Sequence, residues 1–501
     1  MSQPSEPRAT VLGIDLGTSS VKAVVARLDG SVAGQAHADY QVGSPRPGWS
    51  ETAPADWLAA TAAAVRSAVA RAGADPVAVG LSGQMHGLVA TAVDGRPVRP
   101  AMLWSDARAM AELASYRLLP PAALARLANP LSPGMAGPML AWLAGNEPTA
   151  YAASRWALQP KDWLRAQLTG GFATEPSDAS ATLLYDVAGD AWDADLLGAL
   201  GLSAAKLPPI LPRSAARAGA LTADAASLLG LRNGIPVAAG AADAAAAALG
   251  SGLTEPGTVQ LTIGTGAQIV KPVAALPSPL PAHPVTHLYR AATDTGWYAM
   301  GAVLNGGLTL GWVCRTLGAG WPELYAAAAL PPSPGDPYFL PHLNGERTPY
   351  LDPGLRAAWT GLGPRHGRPQ MLRAALEGVA FAIRDALECV VGPGEPIARL
   401  RLAGGGTTDP AWRQMLADIL GYAVAPVAVT AASGLGAALL GARAAGLTDQ
   451  FAGPPPAGVS STVPRDENSE LYRERHHAYA RKVLALRETD NETVGIAPSS
   501  H

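Results

Sequence analysis

The sequence predicts an α/β protein built from two related domains. Apolar segments of strand length alternate with longer, amphipathic segments of helix length along most of the chain. A strand that ends in a glycine-bearing turn also occurs twice, as Ile14–Ser19 near the N-terminus and as Leu261–Gly266 near the middle. A repeat at so long a distance indicates duplicated domains rather than a solenoid, whose period is roughly 20–50 residues.

Composition excludes several classes of protein. The chain has 501 residues, of which 48% are hydrophobic and 15% charged, so it is large enough for two domains and is not expected to be disordered. Its net charge of −3 lacks the positive field of a nucleic-acid-binding protein. The longest small apolar run, 236–253, contains Asp243, so we expect no membrane span. With two cysteines and no apolar leader, a reduced, cytoplasmic protein is expected.

The first half of the chain predicts a domain that opens with an antiparallel meander of strands at 11–16, 21–28 and 31–40. Asp29-Gly30 is a strong turn signal between the last two strands. A helix over 54–71 begins at a proline and ends before Gly73. The other elements predicted here are strands at 77–81 and 88–93 and helices at about 106–127, 161–169 and 191–200.

The second half repeats this alternation. We predict strands at 236–240, 258–263, 268–270 and 399–403, and helices at 243–249, 305–317, 369–391, 409–421, 433–446 and 469–486. A boundary near 245–255 divides the chain into an N-terminal domain (9–248), a C-terminal domain (249–450) and a C-terminal helix with a tail (451–501). We also expect a loose leader at 2–8, a chain break at Pro454–Pro456 and disorder over 488–501.

The first glycine turn has the chemistry of an anion site. Gly17 lets the backbone approach an anion closely, and the hydroxyls of Thr18 and Ser19 can donate to phosphate oxygens. Lys22 adds positive charge, and Asp15 lies where a carboxylate could hold a hydrated Mg²⁺. The turn is not a Walker A loop, and taken alone it is equally well interpreted as an ordinary hairpin.

Two later glycine turns have the same character. Gly264-Thr265-Gly266 ends the strand at 258–263, and together with the first turn it could hold a polyphosphate from the opposite side. Gly404–Gly406 follows an apolar strand and precedes a helix, which permits close approach to a flat nucleotide. A tight turn without a ligand is the alternative for each.

Asp243 is the candidate base. It lies among alanines and a glycine at a predicted strand-to-helix junction. A helix cap is one interpretation of this position, but a cap does not need the open space that small neighbours leave. A base that accepts a proton from an attacking hydroxyl does need that space.

Three polar segments leave their roles open. His86, beside Met85 in a loop between glycines, can hydrogen-bond a polar small molecule, although a lone histidine is more often structural. The segment 104–108 suggests a helix cap with an ion pair. The segment 346–349 is interpreted as a surface turn.

Taken in order, these motifs resemble the FGGY carbohydrate kinase family over roughly residues 10–450. The segments that carry the resemblance are Gly13–Ser19, Gly80–Gly87, Trp104–Arg108, Pro160–Asp162, Asp243, the Gly264 turn, Gly345–Pro349, Leu376–Val379, Gly404–Gly406 and Trp412–Asp418. The resemblance implies two actin-like domains (ribonuclease H-like, of the ASKHA class), each with a mixed five-stranded sheet, and a cleft between them.

The resemblance also implies a reaction. It is ATP-dependent phosphorylation of the terminal hydroxyl of a ketopentose, with D-xylulose the expected sugar because of the Gln84–Gly87 element. ATP is the implied co-substrate and Mg²⁺ the implied cofactor. The resemblance is also compatible with a homodimer. The net charge and the lack of a long apolar run predict no nucleic-acid or membrane partner.

The family's functional positions transfer to this chain as follows. Asp243 would be the catalytic base and, with Asp15, a ligand of Mg²⁺. The sugar would contact Asp243, Met85, His86 and Trp104. The nucleotide would contact Gly17, Thr18, Ser19, Lys22, Gly264, Thr265, Gly266, Gly306, Gly405 and Asp409.

One position departs from the family pattern. An asparagine usually follows the base, whereas Ala244 follows it here. A methyl group cannot bind a sugar hydroxyl, and a hydroxyl left buried and unpaired weakens recognition by about 1–3 kcal/mol. Either another residue reaches that hydroxyl, or the sugar is a different ketose or a pentitol, such as ribulose or arabinitol.

Two alternatives from other classes also stand. A non-catalytic sugar or nucleotide sensor is one, to which Ala244 lends some support. A chaperone-like ATPase is the other, which is disfavoured because only about 50 residues follow position 450, too few for a peptide-binding domain.

Overall fold

The structure is a computed structural model that describes residues 9–427, 431–448 and 460–494. The predicted leader at 2–8 and the predicted chain break at Pro454–Pro456 lie outside the described residues. Among the described helices, none is long and apolar enough to cross a membrane. Two main sheets with helices packed on them form the molecule, and each sheet has its own hydrophobic core.

The strands, in chain order, are β1 (Thr10–Leu16), β2 (Ser20–Arg27), β3 (Val32–Asp39), β4 (Glu51–Thr52), β5 (Pro76–Gly83), β6 (Val89–Thr91), β7 (Ala101–Met102), β8 (Trp156–Leu158), β9 (Tyr185–Asp186), β10 (Ala191–Trp192), β11 (Arg217–Ala220), β12 (Pro236–Ala238), β13 (Ala241–Ala242), β14 (Thr258–Ile263), β15 (Ala267–Val273), β16 (His287–Arg290), β17 (Trp297–Val303), β18 (Tyr338–Leu340), β19 (Ala358–Thr360), β20 (Arg399–Ala403) and β21 (Val424–Pro426).

The helices are α1 (Pro54–Ala72), α2 (Leu113–Arg117), α3 (Pro121–Leu127), α4 (Ala136–Asn146), α5 (Pro148–Ala153), α6 (Pro160–Thr169), α7 (Pro176–Ala179), α8 (Ala194–Ala199), α9 (Ala223–Leu229), α10 (Asp243–Gly250), α11 (Gly307–Leu317), α12 (Trp321–Ala328), α13 (Arg368–Val391), α14 (Pro410–Leu420), α15 (Ala432–Ala444) and α16 (Asp466–Val494).

The first sheet has the order β11-β12-β5-β1-β2-β3, with β13 paired to the end of β5. β1, β2 and β3 form the predicted antiparallel meander, and β5 runs parallel to β1. β1 is buried along its whole length, as its apolar sequence requires. The register places Leu16, Gly83 and Ala242 side by side. The carboxyl ends of β1, β5 and β13 therefore meet at one edge of the sheet.

The second sheet repeats this arrangement. Its order is β16-β17-β15-β14-β20-β21, in which β14, β15 and β17 are antiparallel while β20 and β21 run parallel to β14. The five strands β17-β15-β14-β20-β21 correspond in order and direction to β3-β2-β1-β5-β12 of the first sheet. The duplication predicted from the two glycine turns is therefore present in both sheets.

The structure corrects three predictions. Five strands form only the core of each sheet, because β11 and β13 extend the first to seven and β16 extends the second to six. The helix predicted at 106–127 is divided into a 3₁₀ turn, α2 and α3, and Pro120 and Pro121 separate α2 from α3 because they interrupt helical hydrogen bonding. The C-terminal helix extends to Val494, so residues 488–494 are helical rather than disordered. Residues 495–501 lie outside the described part.

Helix α15 packs on the first sheet although it follows the second sheet in the chain. A Cβ added to Gly80 of β5 would overlap the carbonyl oxygen of Ala437, so the strand and the helix meet at backbone distance. A Cβ added to Gly436 would likewise overlap the carbonyl oxygen of Ala246 in α10. The predicted C-terminal domain (249–450) thus contributes a helix to the N-terminal sheet, and this helix supports the one that begins with the candidate base.

Replacing Gly80 by alanine is expected to destabilise the protein by about 3 kcal/mol or more, because the backbones of β5 and α15 must separate. Gly145→Ala in α4 is the matched control, since nothing lies within 4 Å of the added methyl group and alanine favours helix. Equilibrium denaturation of both variants checks the expectation. Unchanged stability of the Gly80→Ala protein would contradict this packing.

Candidate active site

Two carboxylates lie at the carboxyl ends of β1 and β13, the strands on either side of the end of β5. Asp15 of β1 is buried, and its Oδ1 accepts a hydrogen bond from Ser82 Oγ at 3.2 Å. Asp243 is the first residue of α10 and is partly exposed, and its Oδ1 accepts a hydrogen bond from the Ala244 N–H at 2.6 Å. The capping position of α10 is Ala242, so the interpretation of Asp243 as a helix cap is wrong.

Burial disfavours the charged forms of both groups. Burial, followed by the charge of Asp15, raises the pKa of Asp243 to about 7, against the opposing effect of the Ala244 N–H. Burial also raises the pKa of Asp15, while the charge of Lys22, its partner across β1 and β2, lowers it. Asp243 can therefore exchange a proton near neutral pH, as a general base must.

The first glycine turn contacts a residue predicted for the sugar. The carbonyl oxygen of Gly17 accepts a hydrogen bond from the Tyr40 hydroxyl, which fixes the turn, and Ser19 is exposed at its tip. Trp104 Nε1 donates to Thr18 Oγ1 at 3.0 Å. The structure thus brings Thr18, predicted for the nucleotide, next to Trp104, predicted for the sugar.

The second glycine turn packs against the start of α11. The carbonyl oxygens of Gly264 and Thr265 accept hydrogen bonds from the first two N–H groups of this helix, each at 2.9 Å. A Cβ on Gly306 would lie 2.7 Å from the carbonyl oxygen of Gly266. Four of the residues predicted for the nucleotide therefore form one compact backbone surface.

The third glycine segment lies beside the second. Gly404 has a φ of 97°, and a Cβ there would overlap the carbonyl oxygen of Ile263, which directly precedes the second turn. Gly405 opens a 3₁₀ turn at this edge of the sheet. Asp409 caps α14, accepting hydrogen bonds from two of its N–H groups at 2.9 and 3.0 Å. Its contact with a nucleoside stays a prediction.

Met85 and His86 lie at the end of β5. His86 has a φ of 74°, and its N–H donates to Gln159 Oε1 at 2.9 Å. Its Nδ1 donates to the carbonyl oxygen of Ala181 at 2.8 Å, which leaves Nε2 as a hydrogen-bond acceptor. Burial lowers the pKa of His86 to about 4; the bond to Ala181 opposes this effect and the charge of Arg347 adds to it. The imidazole is therefore neutral at pH 7.

A row of rings from the second sheet faces these two residues. The ring of Tyr289 in β16 lies 5.8 Å from that of His86 and 5.6 Å from that of Tyr298 in β17. The Tyr298 hydroxyl donates to Met85 Sδ at 3.8 Å, and His287 stacks on Tyr289 at 5.3 Å. Sequence reasoning missed these rings because neither strand was predicted and nothing local indicates that they reach the first sheet.

The segment 346–349 lies in the cleft, so its interpretation as a surface turn is wrong. Glu346 is buried, and its Oε1 accepts hydrogen bonds from the N–H groups of Leu304 and Arg347 at 2.7 and 2.9 Å. Glu346 thereby joins the segment to the residues that precede α11. The Arg347 guanidinium lies 5.9 Å from the ring of Trp104. A cation from the second half of the chain thus faces a ring from the first half.

The segment 104–108 contains the predicted ion pair but not the predicted helix cap. Arg108 pairs with Asp106 at 2.7 Å, and Asp106 also accepts a hydrogen bond from the Ser50 N–H at 2.7 Å. The Arg108 guanidinium lies 3.5 Å from the ring centre of Trp49. These contacts fix the backbone that carries Trp104.

A buried polar network holds the strand that precedes the base. Ser177 Oγ donates to Glu175 Oε1 at 2.6 Å and accepts from the Ala242 N–H at 2.9 Å. Lys161, buried in the matched segment at 160–162, donates to the carbonyl oxygen of Ala239 at 3.3 Å. The position of Asp243 is therefore set by buried hydrogen bonds as well as by the packing of α10.

These features define a two-domain phosphotransferase with a cleft between its sheets. The sequence matches the N-terminal domain of the FGGY family of carbohydrate kinases over residues 10–250 and its C-terminal domain over residues 259–445. The chain belongs to this family, which confirms the predicted family, the fold of two actin-like domains and the enzyme class. Membership also excludes the chaperone-like alternative.

Individual relatives agree with this assignment. A xylulose kinase from Escherichia coli strain K12 is 35% identical over 414 residues, which cover 82% of this chain and 84% of the relative. The crystal structure of a xylulose kinase from Rhodospirillum rubrum is 28% identical, with a TM-score of 0.89 over 96% of this chain and 100% of that chain. A glycerol kinase from Alkalilimnicola ehrlichii is 33% identical over 457 residues, covering 87% and 90%.

The raised pKa of Asp243 predicts how stability depends on pH. The folded protein holds this proton up to about pH 7, whereas the unfolded chain loses it near pH 4, so stability decreases as the pH rises through this window. Asp243→Asn removes this decrease in stability, because an amide does not ionise. We expect the variant to melt at a higher temperature than the wild-type protein at pH 8, with the difference narrowing towards pH 4.5, in buffer without divalent cations.

The exposed Asp75→Asn variant is the control for this measurement, because its carboxylate lies in solvent. It should match the wild-type protein at both pH values. An Asp243→Asn protein that melts no higher than the wild type at pH 8 would show that Asp243 is not destabilised by its surroundings.

Proposed function

We propose that this chain transfers the γ-phosphoryl group of ATP to the terminal hydroxyl of D-xylulose, giving D-xylulose 5-phosphate and ADP. The observation that carries the proposal is Asp243, a partly exposed carboxylate with a pKa of about 7 at the end of a fixed strand. The choice of xylulose is supported by the relatives named above and by the Met85-His86 loop.

In this mechanism Asp243 accepts the proton of the terminal hydroxyl as its oxygen attacks the γ-phosphorus and the bond to the β-phosphate oxygen breaks. The N–H groups and hydroxyls of the Gly17 and Gly264 turns receive the phosphate oxygens. Nε2 of neutral His86 accepts a hydrogen bond from a sugar hydroxyl. Closure of the cleft excludes water and limits hydrolysis of ATP.

Asp15 and Asp243 fit an Mg²⁺ ion. Within the described residues no group of three or more His, Cys, Asp or Glu side chains is arranged to hold a metal. Mg²⁺ commonly needs only one or two carboxylates, with water and substrate phosphates completing its shell. A divalent cation beside this pair would favour the charged forms that burial disfavours in both groups. When bound, it supplies neutralisation of phosphate charge.

A coupled assay of ADP release across sugars, with and without Mg²⁺, tests the proposed reaction. D-xylulose should give the highest kcat/KM, and removal of the cation should abolish turnover. At saturating Mg²⁺, Asp243→Asn should lower kcat by about 10²–10⁴-fold while the protein keeps its affinity for ATP, since the amide cannot accept the proton. Asp75→Asn serves again as the matched control.

Other outcomes would change the proposal in defined ways. Higher turnover with ribulose, arabinitol or glycerol would replace the sugar and keep the mechanism. Absence of turnover with every sugar, together with sugar or nucleotide binding, would favour the sensor alternative, in which Asp243 has no activity to lose.

Ala244 gives a further test of the sugar site. Its methyl group packs in a buried cluster with Met85, Tyr289 and Tyr298, next to the base. Ala244→Asn restores an amide at this position and should lower the KM for D-xylulose by up to about 10-fold, with kcat changed less than threefold. Steady-state kinetics measure this. A higher KM would mean that another residue already binds the hydroxyl in question.

A further inference from the structure

The second glycine turn rests on the linker between β17 and α11, which is formed by residues 304–306. A Cβ added to Gly266 would overlap the carbonyl oxygen of Val303, the last residue of β17. The first two N–H groups of α11 donate to the carbonyl oxygens of Gly264 and Thr265, each at 2.9 Å. A displacement of the linker would therefore displace the turn that the proposed mechanism assigns to the phosphates of ATP.

Apolar packing contributes little to holding this linker. The side chain of Leu304 is exposed, and Gly306 has no side chain. Asn305 is completely buried, and its Oδ1 accepts a hydrogen bond from Thr309 Oγ1, in the first turn of α11, at 3.2 Å. Its Nδ2 donates to the carbonyl oxygen of Gly345 at 2.8 Å. The linker is thus fixed mainly by polar contacts, and these contacts lead to the residue that follows Gly345.

That residue is Glu346, whose carboxylate accepts four hydrogen bonds within the protein. Its Oε1 accepts from the Leu304 N–H at 2.7 Å and from the Arg347 N–H at 2.9 Å. Its Oε2 accepts from Asn305 Nδ2 at 2.9 Å and from His342 Nδ1 at 3.2 Å. The side chain is 1% exposed, so water does not replace a lost partner. Glu346 therefore binds two of the three linker residues directly.

The chemistry of these partners requires a carboxylate at this position. Three of the four donors cannot become acceptors: the N–H groups of Leu304 and Arg347, and Asn305 Nδ2, which the carbonyl oxygen of Gly345 keeps in place. A carboxylate presents acceptors on both oxygens, whereas a glutamine amide presents one oxygen and one NH₂ donor. In either orientation, Glu346→Gln sets that donor against at least one fixed donor, with almost no change in size.

The C-terminal helix supports Glu346 from another direction. The Tyr479 hydroxyl of α16 lies 3.3 Å from Nε2 of His342. Arg487 of the same helix pairs with Asp352 at 3.1 Å, and Asp352 shares two backbone hydrogen bonds with Glu346, at 2.8 and 2.9 Å. The carboxylate is thus held in place by contacts that do not involve the linker, which allows it to fix the linker in turn.

We propose that Glu346 is a positioning residue for ATP: through Leu304 and Asn305 it sets the place of the glycine turn at 264–266 that receives the phosphates. This inference rests on the proposed function, since it takes that turn as part of the nucleotide site. Because its carboxylate is buried among protein donors, Glu346 acts through the linker and does not touch the nucleotide.

The test separates the two substrates in steady-state kinetics at saturating Mg²⁺. Glu346→Gln should lower kcat/KM for ATP by about 10–100-fold, mostly by raising KM, because a small displacement of the turn misplaces the phosphates. The KM for D-xylulose should change less than threefold, since Asp243 and His86 are held by contacts outside the linker. Glu346→Asp keeps both acceptor oxygens on a shorter side chain and should recover part of the loss.

Asp352→Asn is the matched control, because it makes the same carboxylate-to-amide change on the same segment, and its partners Gly354 and Arg487 are not part of the linker. Both KM values should stay within twofold of the wild type. Thermal melting shows whether Glu346→Gln is folded. If it is not, Asn305→Ala carries the test, with a smaller loss but the same bias towards ATP. Equal losses for both substrates, a loss for the sugar alone, or no change would each overturn the inference.

The result is separable from the fate of the proposed function. If the wild-type protein binds ATP but phosphorylates no sugar, calorimetric affinity for ATP replaces kinetics. An affinity about 10-fold weaker in Glu346→Gln, with Asp352→Asn unchanged, then supports the inference while the proposed reaction fails. If the wild-type protein does not bind ATP, both fail. If it phosphorylates D-xylulose and Glu346→Gln keeps the wild-type kcat/KM for ATP, only the inference fails.

Discussion

The burial of Asp243 close to a second buried carboxylate, Asp15, is the constraint on which the rest of the site depends. Burial raises the free energy of the charged form of both carboxylates, and the charge of Asp15 adds to that cost at Asp243. The same two effects bring the pKa of Asp243 close to 7, where a carboxylate is a useful base. A bound cation or a hydroxyl that donates a hydrogen bond would stabilise the charged form of Asp243. Ligand affinity and reactivity therefore have a common physical source.

The scaffold keeps this unfavourable pair in place through contacts that leave little room. Helix α15 meets both β5 and α10 at backbone distance, so the helix that begins with Asp243 cannot shift along the sheet without moving its neighbours. Ser177 and Glu175 hold the preceding strand from within the core, where a broken hydrogen bond has no water to replace it. Rigid packing thus maintains a geometry that electrostatics alone would open.

Features with a local signal could be predicted from the sequence, and contacts between the two halves could not. The glycine turns and Asp243 stand out because small residues beside polar ones imply space and free backbone donors. Tyr289 and Tyr298 carry no such signal, since a strand tyrosine has the same sequence pattern wherever it lies. Their positions depend on how the second sheet packs against the first. The prediction of one helix over 106–127 was wrong in part for a local reason, because the proline pair that begins at Pro120 separates α2 from α3.

Substrate choice depends on which half of the chain supplies each part of the cleft. The end of the sugar that reacts must present a hydroxyl to Asp243, so that end cannot distinguish a ketose from a polyol. Selectivity has to come from the rest of the cleft, and part of that wall, the rings of Tyr289 and Tyr298, belongs to the second half of the chain. Arg347 of the second half lies 5.9 Å from the ring of Trp104 of the first half, so the two walls come close together here. A sugar bound between them would contact both halves of the chain, which couples binding to closure over the phosphates and to protection of ATP from water.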